Sequence, residues 1–249
     1  MSRPPAGTAD VGVIVVAGGR GTRFGGDVPK QYLPVAGVPL LRRTLEPFLQ
    51  HPDVRRIVLV LPPTDVEAPP PWLRELAGPR LVLASGGAER ADSVRAGLGA
   101  LDAGCTTVLV HDGARPFVSA AVIGAVAAAA RDGAAAIAAV PVSDTIKEAD
   151  AGDPTRVGRT VPRERLWRAQ TPQGFPRALL ERAHAEAASL GLAATDDAAL
   201  VERLGAAVRL VPDSPRNFKV TTPDDLALAE LQAGAESQAE ARPQRAGPS

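Results

Sequence analysis

The sequence predicts an α/β protein whose mostly parallel, Rossmann-like sheet is flanked by helices. Three observations support this fold class: short and nearly continuous apolar runs, helical patterns between them, and glycine-rich turns where several runs end. Continuous apolar runs of strand length suit strands that are covered on both faces. Alternation of strands with helices favours parallel pairing. With 249 residues, 45% of them apolar, the chain can build one large domain or two small ones.

The elements alternate regularly along most of the chain. The predicted strands are 12–19, 55–62, 80–85, 106–112 and 134–142. Helical patterns cover about 38–50, 89–103, 119–132, 176–190 and 221–232. A Thr/Pro/Asp start signal opens the last of these helices. A further short helix is indicated by "ATDDAALVE" (194–202), with Thr195 or Asp196 as its N-cap.

One segment departs from this alternation, and both ends of the chain lack a pattern. Residues 143–172 show no long helical period and contain a "DAGDP" turn, so we expect an extended β-arm that leaves the main sheet. An arm without its own core favours a homodimer, because only a partner can bury it. Residues 1–10 and 234–249 are polar and without period, which predicts disorder and leaves one domain over 11–233.

Composition excludes several classes of function. Lys+Arg and Asp+Glu both total 28, and a balanced charge argues against a nucleic-acid partner or a membrane-surface binder. No run of 18 apolar residues predicts a membrane span, and "MSRPPAGTAD" lacks the apolar core of a secretory signal. The single cysteine, Cys105, allows no disulfide within the chain. We therefore expect a buried thiol and a cytoplasmic protein.

The first strand ends in the glycine-rich stretch "AGGRGTRFGG", which predicts a phosphate-binding loop. It is neither a Walker A loop nor a dinucleotide fingerprint, since the residues that define those motifs are missing. Glycines let backbone N–H groups approach a ligand closely, and Arg23 and Lys30 make that ligand anionic. The candidate nucleotide-binding residues here are Ala17, Gly18, Gly19 and Gly21. The alternative is an ordinary glycine turn with solvated arginines.

Lysine is scarce in this chain and occurs only at Lys30, Lys147 and Lys219. Arginine supplies every other basic residue, so a retained lysine indicates a need for a compact ammonium group that a guanidinium cannot replace. Sequence drift is the alternative explanation. Lys219 stands just before the last helix and becomes a second candidate functional lysine, the alternative being a solvated lysine on a strand.

A carboxylate and a second glycine turn complete the set of candidates. In "VLVHDGARPFV", Asp112 ends a strand, where it could hold Mg²⁺ against phosphate oxygens or simply cap the next turn beside Arg115. In "GGAERADSV", Gly87 permits close approach, and Ser93 could hydrogen-bond a base or ribose or merely open a helix. Each of the three histidines is interpreted as structural: His111 as buried, His51 and His184 as solvated.

Taken in order, these motifs resemble one family of nucleotide-transferring enzymes. The series comprises A-G-G-x-G-x-R-(5)-P-K-Q-Y, "GGAERADSV", "VHDGARP", "PVSDTIK", "LWRAQTPQ", "TDDA" and "NFKVTTPDDL", over roughly 11–232. It is similar to the sugar nucleotidyltransferases, and most closely to the 2-C-methyl-D-erythritol 4-phosphate cytidylyltransferase family of non-mevalonate isoprenoid synthesis. That resemblance implies CTP and a sugar-alcohol phosphate as substrates, Mg²⁺ as cofactor, and a homodimer whose arms embrace.

The resemblance also implies roles for individual residues. Arg23, Lys30 and Lys219 would be catalytic, and Asp112 would hold the metal. The family uses the 86–94 segment to enclose cytosine, which implicates Gly87, Ala88 and Ser93. Ala88 departs from the aspartate that is frequent in the family, so only a backbone contact is implied there. On the arm, Thr145 and Arg163 would contact the methylerythritol phosphate in the partner's site, whereas Thr195 and Asp196 match a segment near the substrate without a catalytic role.

Other functions stay open at this point. A ribitol-5-phosphate cytidylyltransferase would perform the same chemistry on a different alcohol, and the glycine loop does not separate the two. A uridylyl- or guanylyltransferase is a more distant enzyme. A nucleotide-binding regulatory module without turnover would have no reason to combine Asp112, Lys30 and Lys219.

Overall fold

The computed structural model describes residues 9–19 and 28–241, with side chains in this part up to 238. The strands are β1 Val11–Val16, β2 Pro34–Val35, β3 Val38–Pro39, β4 Val54–Leu61, β5 Leu81–Ser85, β6 Thr107–Asp112, β7 Ala135–Pro141, β8 Ile146–Ala149, β9 Val157–Val161, β10 Trp167–Pro176 and β11 Val208–Pro212. The helices are α1 Leu40–Gln50, α2 Pro63–Glu67, α3 Pro71–Leu76, α4 Arg90–Ala100, α5 Ala120–Arg131, α6 Arg177–Ser189, α7 Asp197–Arg203 and α8 Pro223–Ala241, with a 3₁₀ turn at Lys30–Tyr32.

A seven-stranded sheet forms the centre of the fold, in the order β11-β7-β10-β6-β1-β4-β5. Parallel pairing joins β6, β1, β4 and β5, and also joins β7 to β11, whereas β10 runs antiparallel to both of its neighbours. The predicted mostly parallel sheet is therefore confirmed. Since β1 and β6 are parallel neighbours, their carboxyl ends meet at one edge, and the glycine loop begins beside Asp112.

The two faces of the sheet bury different helices, as the period-2 alternation of β1 requires. Val11, Val13 and Val15 pack on the face that carries α1 and α5, and Ile14 packs on the face that carries α4, α6 and α7. Cys105 is buried, as expected, on the face that carries α4, α6 and α7. Burial raises the pKa of its thiol to about 11. Coverage on both faces explains why β1 reads as a continuous apolar run.

Helix α4 lies unusually close to β1 because it contains Gly97. A Cβ atom at this position would lie 2.4 Å from Cγ2 of Ile14, well inside van der Waals contact. The close approach aligns α4 against the central strand. Its first residue, Arg90, consequently reaches the carboxyl edge of the sheet, where the glycine loop and Asp112 lie.

The arm is shorter than the sequence predicted. The separate hairpin consists of β8 and β9, which pair antiparallel in a two-stranded sheet of their own. Residues 167–172, assigned to the arm by sequence, belong to β10 and pair with β7 or lie buried beside β6. The charge of Arg168 and the proline at Pro172 hid a strand that is exposed at its start and buried from Gln170 onward.

The sequence analysis missed β10 and β11 as members of the sheet and placed the end of the last helix too early. Helix α8 runs to Ala241, nine residues beyond the predicted end at 232, because "GAESQAEA" is rich in alanine and glutamate, which are strong helix formers. It packs through Ala229 and Ala233 against Val35, Leu40 and Val220. Across the described residues, every helix is too short or too polar to cross a bilayer.

Candidate active site at the carboxyl edge of the sheet

A cavity of about 250 Å³ opens at the carboxyl edge of the sheet, between the glycine loop, the start of α4 and the end of β6. It brings together nine of the residues predicted from sequence: Ala17, Gly18, Gly19, Lys30, Gly87, Ala88, Ser93, Asp112 and Lys219. Gly21 and Arg23 lie outside the described residues. Thr145 and Arg163 are exposed on the arm, away from the cavity lining.

Two glycine segments form facing walls around Ser93. A Cβ on Gly87 would lie 2.3 Å from Cβ of Asp92, so this position has no room for a side chain. Asp92 accepts a hydrogen bond from the backbone N–H of Glu89 at 2.9 Å, which completes a capping box at the start of α4. The Ser93 hydroxyl is buried and donates to the Glu89 carbonyl at 3.3 Å, facing Gly18. The walls thus expose backbone to a ligand.

Asp112 is a buried carboxylate, and three cations surround it among the residues that the structure describes. Its Oδ2 lies 3.1 Å from Nζ of Lys219 and 3.4 Å from Nε of Arg115, and its Oδ1 lies 3.9 Å from Nε of Arg90. Burial disfavours the charged form, but the charges of Lys219, Arg90 and Arg115 outweigh it and lower the pKa of Asp112 to about 2. The cavity therefore holds an ionised carboxylate at neutral pH.

Lys30 is held by a hydrogen bond to the segment that precedes the last helix. Its Nζ donates a hydrogen bond to the Val220 carbonyl at 2.8 Å, which brings the 3₁₀ turn to the segment that carries Lys219. The turn is held from its other side by Asp65 of α2, which accepts a hydrogen bond from the Tyr32 hydroxyl at 2.7 Å. Both lysines therefore line one cavity, although 189 positions separate them in the sequence.

Behind the cavity, a buried chain of hydrogen bonds fixes the backbone of Asp112. Its N–H donates to Oγ1 of Thr171 at 3.0 Å, and His111 contacts that hydroxyl through Nδ1 at 3.0 Å. Nε2 of His111 lies 3.1 Å from the Arg115 carbonyl, which can only accept, so Nε2 carries the proton and Nδ1 accepts from Thr171. Burial lowers the pKa of His111 to about 4. The prediction that His111 is structural agrees with this neutral, fully buried ring.

Asn217 connects the Lys219 segment to the same network. Its side-chain amide donates to the Thr171 carbonyl at 2.8 Å, and its own carbonyl accepts from Nη1 of Arg115 at 2.8 Å. Gln170 donates a further hydrogen bond to that carbonyl at 3.0 Å. Hydrogen bonds thus attach the segment that carries Lys219 to β10 and to the turn after Asp112. They fix the backbone from which the Lys219 side chain extends.

The other two histidines are not solvated, and that prediction was wrong. His184 on α6 is 1% exposed, and its Nε2 lies 2.9 Å from Oδ1 of Asp197. His51 is buried at the end of α1, where its Nδ1 accepts a hydrogen bond from the Asp53 N–H at 3.3 Å. A single histidine on an alanine-rich helix gives no sign of a carboxylate partner 13 residues away.

Two arginines of the site were not among the candidates predicted from sequence, although Arg115 was named as the neighbour of Asp112 in the turn-cap alternative. Arg90 lines the cavity, and Arg115 neutralises Asp112 from behind. Each stands inside a motif quoted above, three residues after Gly87 and three after Asp112. Arginine is so frequent in this chain that sequence position alone did not mark either residue as part of the site. Their distances to Asp112 in the structure do.

The residues present fit a magnesium ion held mainly by its substrate. Within the described part of the chain, no group of three or more His, Cys, Asp or Glu side chains is arranged to hold a metal ion. Mg²⁺ keeps several waters and substrate phosphates in its shell and needs only one or two carboxylates from the protein. Asp112 supplies one ionised carboxylate at the cavity wall.

An α/β sheet with a glycine-walled, lysine-bearing cavity beyond its carboxyl edge defines a nucleotidyltransferase-type site. The profile of the family described as IspD, 2-C-methyl-D-erythritol 4-phosphate cytidylyltransferase, matches residues 11–234. The chain belongs to this family.

Relatives and solved structures agree with the assignment. The 2-C-methyl-D-erythritol 4-phosphate cytidylyltransferase of Frankia casuarinae is 46% identical over 229 residues, which cover 92% of this chain and 83% of that protein. The crystal structure of 2-C-methyl-D-erythritol 4-phosphate cytidylyltransferase from Thermus thermophilus superimposes with a TM-score of 0.74 at 40% identity, covering 89% of this chain and 98% of that one.

Some relatives are longer. The bifunctional enzyme IspD/IspF of Desulforudis audaxviator is 48% identical over 232 residues, which cover 91% of this chain and 57% of that protein. The corresponding bifunctional enzyme of Anaeromyxobacter dehalogenans is 51% identical over 218 residues, 87% of this chain and 55% of that protein. The chain thus spans little more than half the length of these bifunctional relatives.

Proposed function

We propose that the protein transfers a cytidylyl group from CTP to 2-C-methyl-D-erythritol 4-phosphate, with release of pyrophosphate. The observation that carries this proposal is the convergence of Lys30, Lys219 and Asp112 on one glycine-walled cavity. A module that only bound a nucleotide would gain little from two ammonium groups and a carboxylate placed together. Membership of the cytidylyltransferase family supports the choice of both substrates.

The reaction needs alignment and charge stabilisation more than a protein nucleophile. A phosphate oxygen of the sugar alcohol, already anionic at neutral pH, attacks the α-phosphorus of CTP in line. A new P–O bond forms, and the bond from that phosphorus to the bridging oxygen breaks, so that the electron pair leaves with pyrophosphate. Lys30, Lys219 and Arg23 stabilise the charge that accumulates on the five-coordinate phosphorus and on the leaving group.

The glycine walls determine where the nucleotide lies. Ala17, Gly18 and Gly19 present backbone to the triphosphate, and Gly87, Ala88 and Ser93 present backbone and one hydroxyl to the base and ribose. Asp112 is the residue that would hold Mg²⁺, which when bound neutralises phosphate charge and fixes the triphosphate geometry. Lys219 contacts Asp112 through an exposed side chain and can exchange this partner for a phosphate oxygen.

The arm supplies the second substrate's site from a partner subunit. Thr145 and Arg163 flank the β8–β9 hairpin and are exposed, while the cavity of their own chain is lined by other residues. The hairpin has almost no buried side chain, so association with a second copy would give it a contact surface. We place the activity in the cytoplasm, where a lone thiol such as Cys105 stays reduced.

Pyrophosphate release tests the proposal directly. The purified protein is given CTP and Mg²⁺ with 2-C-methyl-D-erythritol 4-phosphate, with ribitol 5-phosphate, or with buffer alone. We expect release only with the methylerythritol substrate. Release only with ribitol 5-phosphate would assign the same chemistry to the other alcohol, and no release with either would contradict an enzymatic function.

A further inference from the structure

Arg90 is held beside Asp112 by a second, buried carboxylate. Its Nη1 lies 2.7 Å from Oδ2 of Asp197, and its Nε lies 3.9 Å from Oδ1 of Asp112. The guanidinium therefore lies between two carboxylates, one lining the cavity and the other 1% exposed behind it. The planar fork of arginine suits this position because it presents several N–H donors in fixed directions.

Asp197 is itself held from the opposite side. Its Oδ1 accepts a hydrogen bond from Nε2 of His184 at 2.9 Å, and both side chains are buried. Since a carboxylate oxygen only accepts, the proton of the imidazole stands on Nε2. His184, Asp197 and Arg90 form one line of contacts from α6 through α7 to α4, and this line ends at the cavity wall.

Hydrogen bonds also hold the first turn of α7, and they fix the backbone position of Asp197. Asp196 caps the helix by accepting from the Ala199 N–H at 2.9 Å. Gln173 on β10 donates to the other oxygen of Asp196 at 2.8 Å, and its amide oxygen accepts from the Ala198 N–H at 3.2 Å. The first turn of α7 is thereby attached to the central sheet.

Lys219 offers a contrast. Its side chain is 44% exposed, against 29% for Arg90, and its flexible stem ends in a compact ammonium group. A phosphate that enters the cavity can draw Lys219 away from Asp112. It cannot draw Arg90 in the same way, because doing so would leave the buried carboxylate of Asp197 without its cation.

We propose that Asp197, supported by His184, is a positioning residue that holds the Arg90 guanidinium in the cavity wall, so that Arg90 stays 3.9 Å from Asp112 and does not pair with it when Lys219 moves to the substrate phosphates. The inference rests on the proposed function and refines it. Without the Asp197 charge, the guanidinium can close the 3.9 Å gap and pair directly with Asp112. Asp112 would then be occupied by its own protein and less available to the bound nucleotide.

A double-mutant cycle tests this coupling. Steady-state kcat/KM for CTP is measured for the unsubstituted protein, Asp197→Asn, Arg90→Gln and the double variant. We expect each single substitution to lower kcat/KM about 10- to 100-fold, as loss of a supporting partner typically does. Because Asp197 acts through Arg90, the double variant should lose little more than Arg90→Gln alone. Glu202→Gln makes the same chemical change on the exposed side of α7 and should retain full activity.

Each outcome decides the matter. Non-additive losses support the positioning role, and additive losses contradict it while the proposed function stands. If Asp197→Asn does not fold, Arg90→Lys carries the test: it keeps the charge but loses the fork, and a normal kcat/KM for this variant would refute the inference. If the unsubstituted protein releases no pyrophosphate with either sugar-alcohol phosphate, the proposed function fails and this inference fails with it.

Discussion

Asp112 shows how a single residue acquires its chemistry from its neighbours. In isolation it is a carboxylate at the end of a strand, and the sequence allowed either a metal ligand or a turn cap. The structure surrounds it with Lys219, Arg115 and Arg90, and their charges keep it ionised although it is buried. Lys219 and Arg90 come from segments distant in sequence, so their contacts could not be predicted from the motif, whereas Arg115 stands three residues after Asp112 in the same motif and was named beside it.

The pH dependence of stability should report on this carboxylate. The folded pKa of Asp112, about 2, lies below its ordinary value of 3.8, so its contribution to stability is present above pH 4 and is lost as the pH falls towards 2. We expect Asp112→Asn to lower the free energy of unfolding by about 2 kcal/mol at pH 7, and the difference to shrink below pH 4. Urea unfolding at several pH values measures this.

A matched substitution provides the control for that measurement. Asp144→Asn makes the same change at an exposed position and should leave stability unchanged at each pH. A difference between the unsubstituted protein and Asp112→Asn that stayed constant down to about pH 2.5 would show that the three cations do not stabilise the charge.

Lys30 allows a second test with a single residue. Lys30→Ala should lower kcat on the order of 10²–10³-fold, the usual cost of one preorganised charge contact in the transition state. Lys30→Arg should also be poor, since a guanidinium does not reproduce a compact ammonium that reaches the Val220 carbonyl at 2.8 Å. Near-normal turnover of Lys30→Ala would remove it from the mechanism, and Arg42→Ala, an exposed cation on α1, should have no effect.

At the scale of elements, helix α4 links the packing of the sheet to the site. Its middle approaches β1 at Gly97, and its first turn carries Arg90 and Ser93 into the cavity wall. The position of the helix along the strand therefore decides where these two side chains lie. Such coupling makes a small residue far from the cavity important to the site.

Two glycines of α4 give a matched pair of variants. A methyl group at Gly97 would lie 2.4 Å from Cγ2 of Ile14, so Gly97→Ala should destabilise the fold by about 1–3 kcal/mol. Gly99 is exposed, and a methyl group there would have no neighbouring atom within 4 Å, so Gly99→Ala should instead stabilise the fold by about 0.5–1 kcal/mol. Thermal unfolding compares the two, and an equal effect at both positions would contradict the close packing of α4 on β1.

Prediction from sequence succeeded for elements with a clear signal and failed where charge or alanine hid it. All five predicted strands are present in the structure. Each was recognisable in the sequence as an apolar run because helices cover it in the fold. β10 was assigned to the arm because Trp167–Pro176 begins exposed and mixes polar side chains with prolines. Nine cavity residues were found through glycine, lysine and aspartate motifs, whereas the Asp197–His184 pair carries no local signature.

At the scale of the whole molecule, the proposed role of the arm predicts that the protein works as a dimer. If Arg163 serves the partner's cavity, two inactive variants should complement each other. When Lys30→Ala and Arg163→Ala subunits are mixed, each heterodimer contains one intact site, so random assembly should restore about a quarter of full activity. The variants are unfolded and refolded together, and pyrophosphate release is measured before and after.

The alternative outcome is equally clear. If Arg163 acts in its own chain, no mixed dimer contains an intact site, and the activity stays at the level of the separate variants. Light scattering on the same samples reports the oligomeric state. Leu231→Glu, at an apolar residue of α8 that is 74% exposed, should leave dimerisation unaffected, whereas Val157→Glu on the hairpin should weaken it.

The hydrogen bond from Lys30 to the Val220 carbonyl joins positions separated by 190 residues. During synthesis, β1 and the turn bearing Lys30 emerge from the ribosome long before their counterpart exists. A nascent chain stopped short of Val220 could already pair β1 with β4 and β6, yet it would lack this anchor. The cavity is consequently completed late in translation, after most of the sheet is available to fold.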